Sequence, residues 1–146
     1  AGLTNQLAKS DYQIFLLGGE VDDSEKLNSK IPSVVGFAPI DLRDEAAVES
    51  GFNEALKVLG GLDHVVSIAG GSGRVYGDGA IENLSLSSWN QTLELNLTTA
   101  YLTAREAIKI FKKNVGGSLT LTSSILATSP SPEFFQAQHP KQYNDA

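Results

Sequence analysis

The chain has 146 residues, 41% hydrophobic and 19% charged, the balance of a single soluble globular domain with a core of its own. Its formal net charge of −6 argues against a sequence-independent grip on nucleic acid or an anionic membrane, because both need clustered Lys and Arg. The absence of cysteine excludes disulfides, thiolate metal sites and cysteine nucleophiles, and no apolar run approaches the roughly 20 residues of a membrane helix.

In chain order, Leu3 and Leu7 share one helical face, so a short helix is expected through Lys9, followed by a turn at Ser10 and Asp11. "YQIFLL" (12–17), bounded by Gly18 and Gly19, reads as a buried strand. "DDSEKLNSK" is polar and suits about one helical turn. "SVVGFA" (33–38) reads as a second strand closed by Pro39. Val48, Phe52, Ala55, Leu56 and Leu59 then line one face of an amphipathic helix that Gly60 and Gly61 stop. "HVVSIA" (64–69) is a third strand. Ser88 with Gln91 three residues on has the form of a capping box, and Leu93, Leu97, Ala100, Ala104, Ile108 and Phe111 carry an apolar stripe along a helix over 88–113. Lys109, Lys112 and Lys113 lie near its C-terminus, where the helix dipole favours cations. "SLTLTS" (118–123) is a fourth strand. The remainder, with Pro130, Pro132 and Pro140, reads as loop. Strands alternating with helices predict a doubly wound parallel sheet, whose ligands bind beyond the carboxyl ends of the strands.

Gly71, Gly73 and Gly77 spell G-x-G-x-x-x-G after the third strand. A phosphate-cradling loop must run straight into a helix, whose free N–H groups and partial positive charge hold the anion. Here the next helix start is Ser88, so the phosphate-loop reading is rejected. Two readings remain: a strand end whose small residues let a flat ring approach the backbone, or a flexible surface loop. His64 and His139 have no partner at metal spacing, and Trp89 reads as a packing residue.

"GGLDHVVSIAGG", then "WNQTLELNLTTAYLTAREA", then "GGSLTLTSSILAT" resemble, in order and spacing, the short-chain dehydrogenase/reductase family. The resemblance extends to about Pro132. It implies a Rossmann-like sheet, a nicotinamide cofactor, and hydride transfer between that cofactor and a carbonyl or alcohol. Where the family's fourth strand ends in N-N-A-G, this chain has Ser67, Ile68, Ala69 and Gly70: the Ala-Gly half is kept and both asparagines are replaced. "DLRD" resembles the end of the family's third strand, which places Asp41 and Leu42 near the adenine. "AGLTNQLAKS" looks like the end of the glycine loop T-G-x-x-x-G-x-G and the helix after it, with Gly2 as its last glycine but one.

On this reading the chain is a partial NAD(P)-binding domain over 1–146 with no second domain. The first strand and most of the phosphate loop are missing, and so is the central strand that normally lies between "YQIFLL" and "HVVSIA". A gap in the sheet, or strands that close up, should follow. The absence of a targeting segment favours the cytoplasm, and the absence of any Met marks the chain as processed or internal.

The resemblance also implies site roles. Asn96 matches the Asn on the family's long helix, which orders a proton-relay water. Ser124 matches the Ser that holds the substrate oxygen, with Ser123 its neighbour should the register slip by one. Tyr143 is the one tyrosine after Ser124. Either it is the catalytic acid–base Tyr, or that Tyr follows Ala146; in both cases the Lys of Y-x-x-x-K lies beyond the chain. The isolated chain is therefore expected to show no useful turnover. Glu20, followed by Asp22 with no basic residue before Lys26, leans to NAD through the ribose hydroxyls, with NADP not excluded. Family members form dimers or tetramers through the long helix. The competing readings are a truncated, non-catalytic nucleotide-binding or interaction module of the same fold, and an unrelated flavodoxin-like domain.

Overall fold

The computed structural model describes residues 2–77 and 81–124. The expectations for Tyr143, His139 and the proline-bearing tail fall outside them. The elements run α1 (Gly2–Leu7), β1 (Ile14–Leu17), α2 (Val21–Lys30), β2 (Val34–Ala38), α3 (Glu45–Leu59), β3 (His64–Ser67), α4 (Leu86–Leu93), a π-helical turn (Glu94–Thr98), α5 (Thr99–Phe111) and β4 (Ser118–Leu121). Short 3-10 turns at Gly73–Tyr76 and Ile81–Asn83 fill the stretch between β3 and α4.

β1 pairs parallel with β2 and β3 pairs parallel with β4, as two separate two-stranded sheets. The expected gap is therefore present, and the architecture is an incomplete, Rossmann-like, doubly wound α/β fold. The strands are shorter than the apolar runs that code for them, because extended backbone is held only as far as a partner satisfies it.

The halves are joined by helices rather than by a ladder. Val48 and Phe52 of α3 pack with Leu102 and Ala107 of α5. Leu17 of β1, Val65 of β3 and Leu119 of β4 pack against that cluster, so one core serves both sheets. Asp44 caps α3 by accepting from the N–H groups of Ala46 and Ala47 at 2.9 and 3.1 Å, and Gly60, at φ 74°, ends it. Arg105 of α5 reaches Glu45 at the start of α3, 2.8 Å away. It also lies over the Tyr101 ring and bonds Glu106. Burial works to raise the Glu106 carboxyl, but its hydrogen bonds from Lys109 and Arg105 prevail and hold it below its ordinary range. At the amino ends of the strands, the Tyr12 and His64 rings meet edge to face with centroids 5.6 Å apart, and His64 Nδ1 lies 2.6 Å from Ser118 Oγ.

Three sequence expectations are corrected. "DDSEKLNSK" forms most of a ten-residue helix, α2, rather than a single turn; it packs on β2 as the crossover between the paired strands, a tertiary reason that a polar run does not display. The long helix starts two residues early, at Leu86, and its cap moves three positions. Ser85 is its N-cap, accepting from the Ser88 N–H, while Gln91 donates to Ser87 instead of closing a capping box at Ser88. Of the expected stripe, Leu93, Leu97 and Ile108 are exposed, Ala100 and Ala104 are partly buried and Phe111 packs against the core, while Thr99, Leu102, Thr103, Glu106 and Ala107 are the residues fully buried. Leu93 is exposed already at the end of α4, and past it the π turn contributes, because one extra residue in a turn rotates every later side chain by about 100° relative to a continuous α-helix. Trp89 is also half-exposed rather than packed away.

Candidate functional site

The contact of Tyr12, just before β1, with His64, the first residue of β3, puts the amino ends of the two sheets side by side. Their carboxyl ends therefore share the opposite edge, where doubly wound folds bind ligands. Gly18 and Asp41, past β1 and β2, lie on this edge. So do Ala69 and Gly70 past β3, and Ser124 past β4.

Asn96 sits in the π turn, and its side chain clamps the loop after β3. Oδ1 accepts from the Gly71 N–H at 2.9 Å, and Nδ2 donates to the Gly71 carbonyl at 3.0 Å and to the Thr92 carbonyl at 2.9 Å. Both amide hydrogens are thus committed, and one Oδ1 lone pair stays open. The turn itself is stabilised by the buried Thr99 hydroxyl, 2.8 Å from the Leu95 carbonyl and 3.2 Å from that of Asn96. Further along, Ser88 Oγ donates to the Tyr76 carbonyl, so Gly71–Tyr76 is held at both ends. Gly71 and Gly73 thus lie in a hydrogen-bonded stretch past the end of β3. They feed only a four-residue 3-10 turn, too short to offer a helix dipole.

Gly70 is required here for space and for backbone. Its φ is 154°, and a Cβ would lie 2.6 Å from Asn96 Oδ1. Gly70→Ala is expected to push the Asn96 amide off Gly71 while the fold persists; the Asn96 side-chain amide resonances beside circular dichroism check both halves.

On the β2 side, Asp41 takes the Arg43 guanidinium in a fork. Nε lies 2.9 Å from Oδ1, Nη2 lies 2.7 Å from Oδ2, and the Arg43 backbone N–H adds a third donor at 2.9 Å. The side-chain bonds first, and then the backbone bond, bring the Asp41 carboxyl down to about 2, so it is anionic at any physiological pH. Arg43 in turn is held in its charged form by the same Asp41 bonds. Leu42 packs under Gly18, whose φ is 81° and whose added Cβ would meet Leu42 Cδ1 at 2.9 Å. Glu20, exposed, ends the same β1 loop just before α2.

The structure thus brings Asn96 against Gly70 and Gly71, and Leu42 against Gly18. Ser124 is exposed on the same edge, past the Thr122 N–H bond to Ser67 that extends the β3–β4 pairing. Gly2 opens α1 with open space around it. Sequence reasoning missed Arg43, although its spacing two residues after Asp41 was a readable signal for a local ion pair. It also missed the Ser88–Tyr76 anchor, which has no local signal. Two shallow concave surfaces among the described residues lie on the outer side of α3 and in the α3–α5 groove. No described helix is long and apolar enough to cross a membrane.

The profile of the short chain dehydrogenases matches residues 1–136. An uncharacterized oxidoreductase, YghA, of Escherichia coli (strain K12) is 32% identical over 113 residues, covering 77% of this chain and 37% of that protein. The human dehydrogenase/reductase SDR family member 4 is 35% identical over 80 residues, covering 55% of this chain and 28% of that protein. The chain thus spans well under half the length of these curated relatives. Among solved structures, ElxO with NADP bound superposes with a TM-score of 0.79 at 24% identity, over 89% of this chain and 52% of the other.

Proposed function

Because the chain belongs to the short chain dehydrogenase family, we propose that it forms part of an NAD(P)-dependent oxidoreductase acting on a small carbonyl or alcohol substrate. The observation that carries this reading is the Asn96 clamp: a side-chain amide in a π turn, locked onto glycines at the carboxyl edge of a parallel sheet. π turns of this kind concentrate at functional sites. The names of the relatives, an oxidoreductase and a dehydrogenase/reductase, support the reaction class, and the NADP of ElxO supports the cofactor class.

The edge suits a dinucleotide. Ala69, Gly70 and Gly71 present backbone with little side chain, so a flat ring can approach, and Asp41 offers an ionised acceptor for a ring amine. The cofactor supplies the hydride chemistry. In this reading Gly2, Glu20, Asp41, Leu42, Ala69 and Gly70 contact the cofactor, whether NAD or NADP. Asn96 holds the relay at a fixed distance from the strand end, Ser124 holds the substrate oxygen, and the proton donor is Tyr143 or a Tyr following Ala146. A homo-oligomer formed on α4 and α5 accounts for the exposure of Trp89, Leu97 and Tyr101, apolar groups that a monomer leaves in water.

A second reading, an interaction module without catalysis, is favoured by one observation: the two sheets share no ladder. One titration separates the two. The protein carrying this chain is expected to enhance NADH or NADPH fluorescence saturably and to lose that enhancement on Asp41→Lys. An absence of saturable binding for both cofactors would sink the oxidoreductase reading and leave the module.

A further inference from the structure

We propose that Ser88 is a positioning residue for the glycine stretch after β3: its buried hydroxyl is the tie that keeps the Gly70–Gly73 backbone shaped for the cofactor. This inference rests on the dinucleotide reading above and goes beyond it by naming what holds that stretch ready before the cofactor arrives.

Four of the eight residues 70–77 are glycine. Glycine has the most backbone freedom to lose, so such a segment does not keep one shape by itself. Two side chains of one helical run hold it. Asn96 grips Gly71 near the strand end, and Ser88, about two turns earlier, grips the Tyr76 carbonyl at the far end. The grips are joined along the helix. The Thr92 hydroxyl donates to the Ser88 carbonyl at 2.9 Å, and Asn96 Nδ2 donates to the Thr92 carbonyl. Gly77, at φ 87°, turns the chain directly after the Ser88 tie, and its N–H bonds the Arg74 carbonyl at 3.2 Å, so the anchored Tyr76 carbonyl fixes the turn Gly73–Tyr76.

The two ties are unequal. The Asn96 bonds are open to water, whereas Ser88 is only 7% exposed. Its hydroxyl has one hydrogen, and the Tyr76 carbonyl takes it. Ser85 Oγ accepts from the Ser88 N–H at 3.0 Å and lies 2.7 Å from Ser88 Oγ, so the Ser85 hydroxyl hydrogen is the one that fills that contact. The result is a directed chain from Ser85 to Ser88 to Tyr76, in which each bond strengthens the next. Water replaces a lost exposed bond more readily than a shielded one. Loss of Asn96 therefore leaves the stronger tie in place, while loss of Ser88 leaves the glycines on the exposed clamp alone. A ligand that binds beside loose backbone must order it first, and that cost is subtracted from its affinity.

The test uses the protein carrying this chain and two alanine variants of similar expected stability. Ser88→Ala removes the tie but leaves the Ser85 cap, whose acceptor is filled by a backbone N–H. Ser85→Ala removes the cap but leaves the Ser88 hydroxyl on Tyr76. Each should lower the thermal midpoint by about 2–4 °C, so stability does not separate them. The loop should. In Ser88→Ala the backbone order parameters of Gly71 and Gly73 are expected to fall from about 0.85 to below about 0.6, and in Ser85→Ala to stay high. In fluorescence titrations with NADH and NADPH, Ser88→Ala is expected to weaken binding about tenfold, with Ser85→Ala within about twofold of native. Ser88→Thr, which keeps the hydroxyl, should stay within about threefold. If Ser88→Ala binds as the native protein does, or if Ser85→Ala weakens binding as much, the positioning role is overturned while dinucleotide binding stands. If the native protein binds neither dinucleotide, the cofactor reading falls and takes this inference with it.

Discussion

In the proposed oxidoreductase that carries this chain, Asn96→Ala is expected to lower kcat/KM for dinucleotide-dependent turnover by about 100-fold or more, with a stability loss of only about 1–3 kcal/mol. The asymmetry follows from the geometry. The amide makes three hydrogen bonds, two of them to Gly71, but the partners lie near solvent, so water replaces most of what is lost. What water does not replace is the fixed separation between the π turn and the strand end. The Ser88–Tyr76 anchor still holds the far end of the loop, so the defect should be confined to the Gly70–Ser72 side.

The sharper variant is Asn96→Asp. It has the same shape and keeps the bond from the Gly71 N–H, but its second oxygen faces the carbonyls of Gly71 and Thr92, where the amide had donated. Two attractive contacts become repulsive, so this near-isostere should be no better than alanine. Steady-state kinetics of both variants, with thermal melts alongside, checks the pair. An aspartate variant with native kcat/KM would show that the clamp does not set the active geometry.

Phe52→Ala carries the largest expected stability effect, about 3–5 kcal/mol. Phe52 is 3% exposed and sits with Val48, Leu102 and Ala107 in the cluster that both sheets share. In a continuous sheet, ladder hydrogen bonds would still tie the halves together after such a truncation. Here α3 against α5 carries the connection between the β1–β2 and β3–β4 pairs. A typical domain has about 5–15 kcal/mol in total, so this loss is a large fraction of it. Urea denaturation followed by circular dichroism should show a lower midpoint and a broader transition, as the two halves stop unfolding together. Val58→Ala, on the exposed side of the same helix, is the control and should stay within about 0.5 kcal/mol of native.

The two predictions draw on different layers of information. The core behind Phe52 was legible in the sequence. Val48, Phe52 and Ala55 recur at helical spacing between Asp44 and Gly60, and apolar periodicity with a cap at each end dictates a buried face whatever surrounds it. The four strands were legible for the same reason, as short apolar runs between turn residues. So was the family, whose motifs fall in order along the chain and whose profile covers residues 1–136. Asn96 and Gly70 could be named because their motif spacing is local.

What the sequence alone determined, then, is what depends on neighbours a few residues away: periodicity, caps and motif spacing. The orientation of the long helix did not belong to that set. Leu93, Leu97 and Ile108 form a good stripe on paper, yet they are exposed, and past the extra residue of the π turn at Glu94–Thr98 it is Thr99, Leu102 and Ala107 that turn inward. That extra residue is held by the clamp onto Gly71, 25 positions earlier, and by the Thr99 hydroxyl beneath it. A long-range hydrogen bond leaves no periodic trace. α2 formed on β2 from a run too polar to announce a buried face. Asp41 and Arg43 lie two residues apart in the chain, but it is the packing of Leu42 beneath Gly18 that sets their ion pair beside the end of β1. Tertiary structure decided these points because each is fixed by contacts between segments far apart in sequence, where the free energy of packing and hydrogen bonding outweighs local preference.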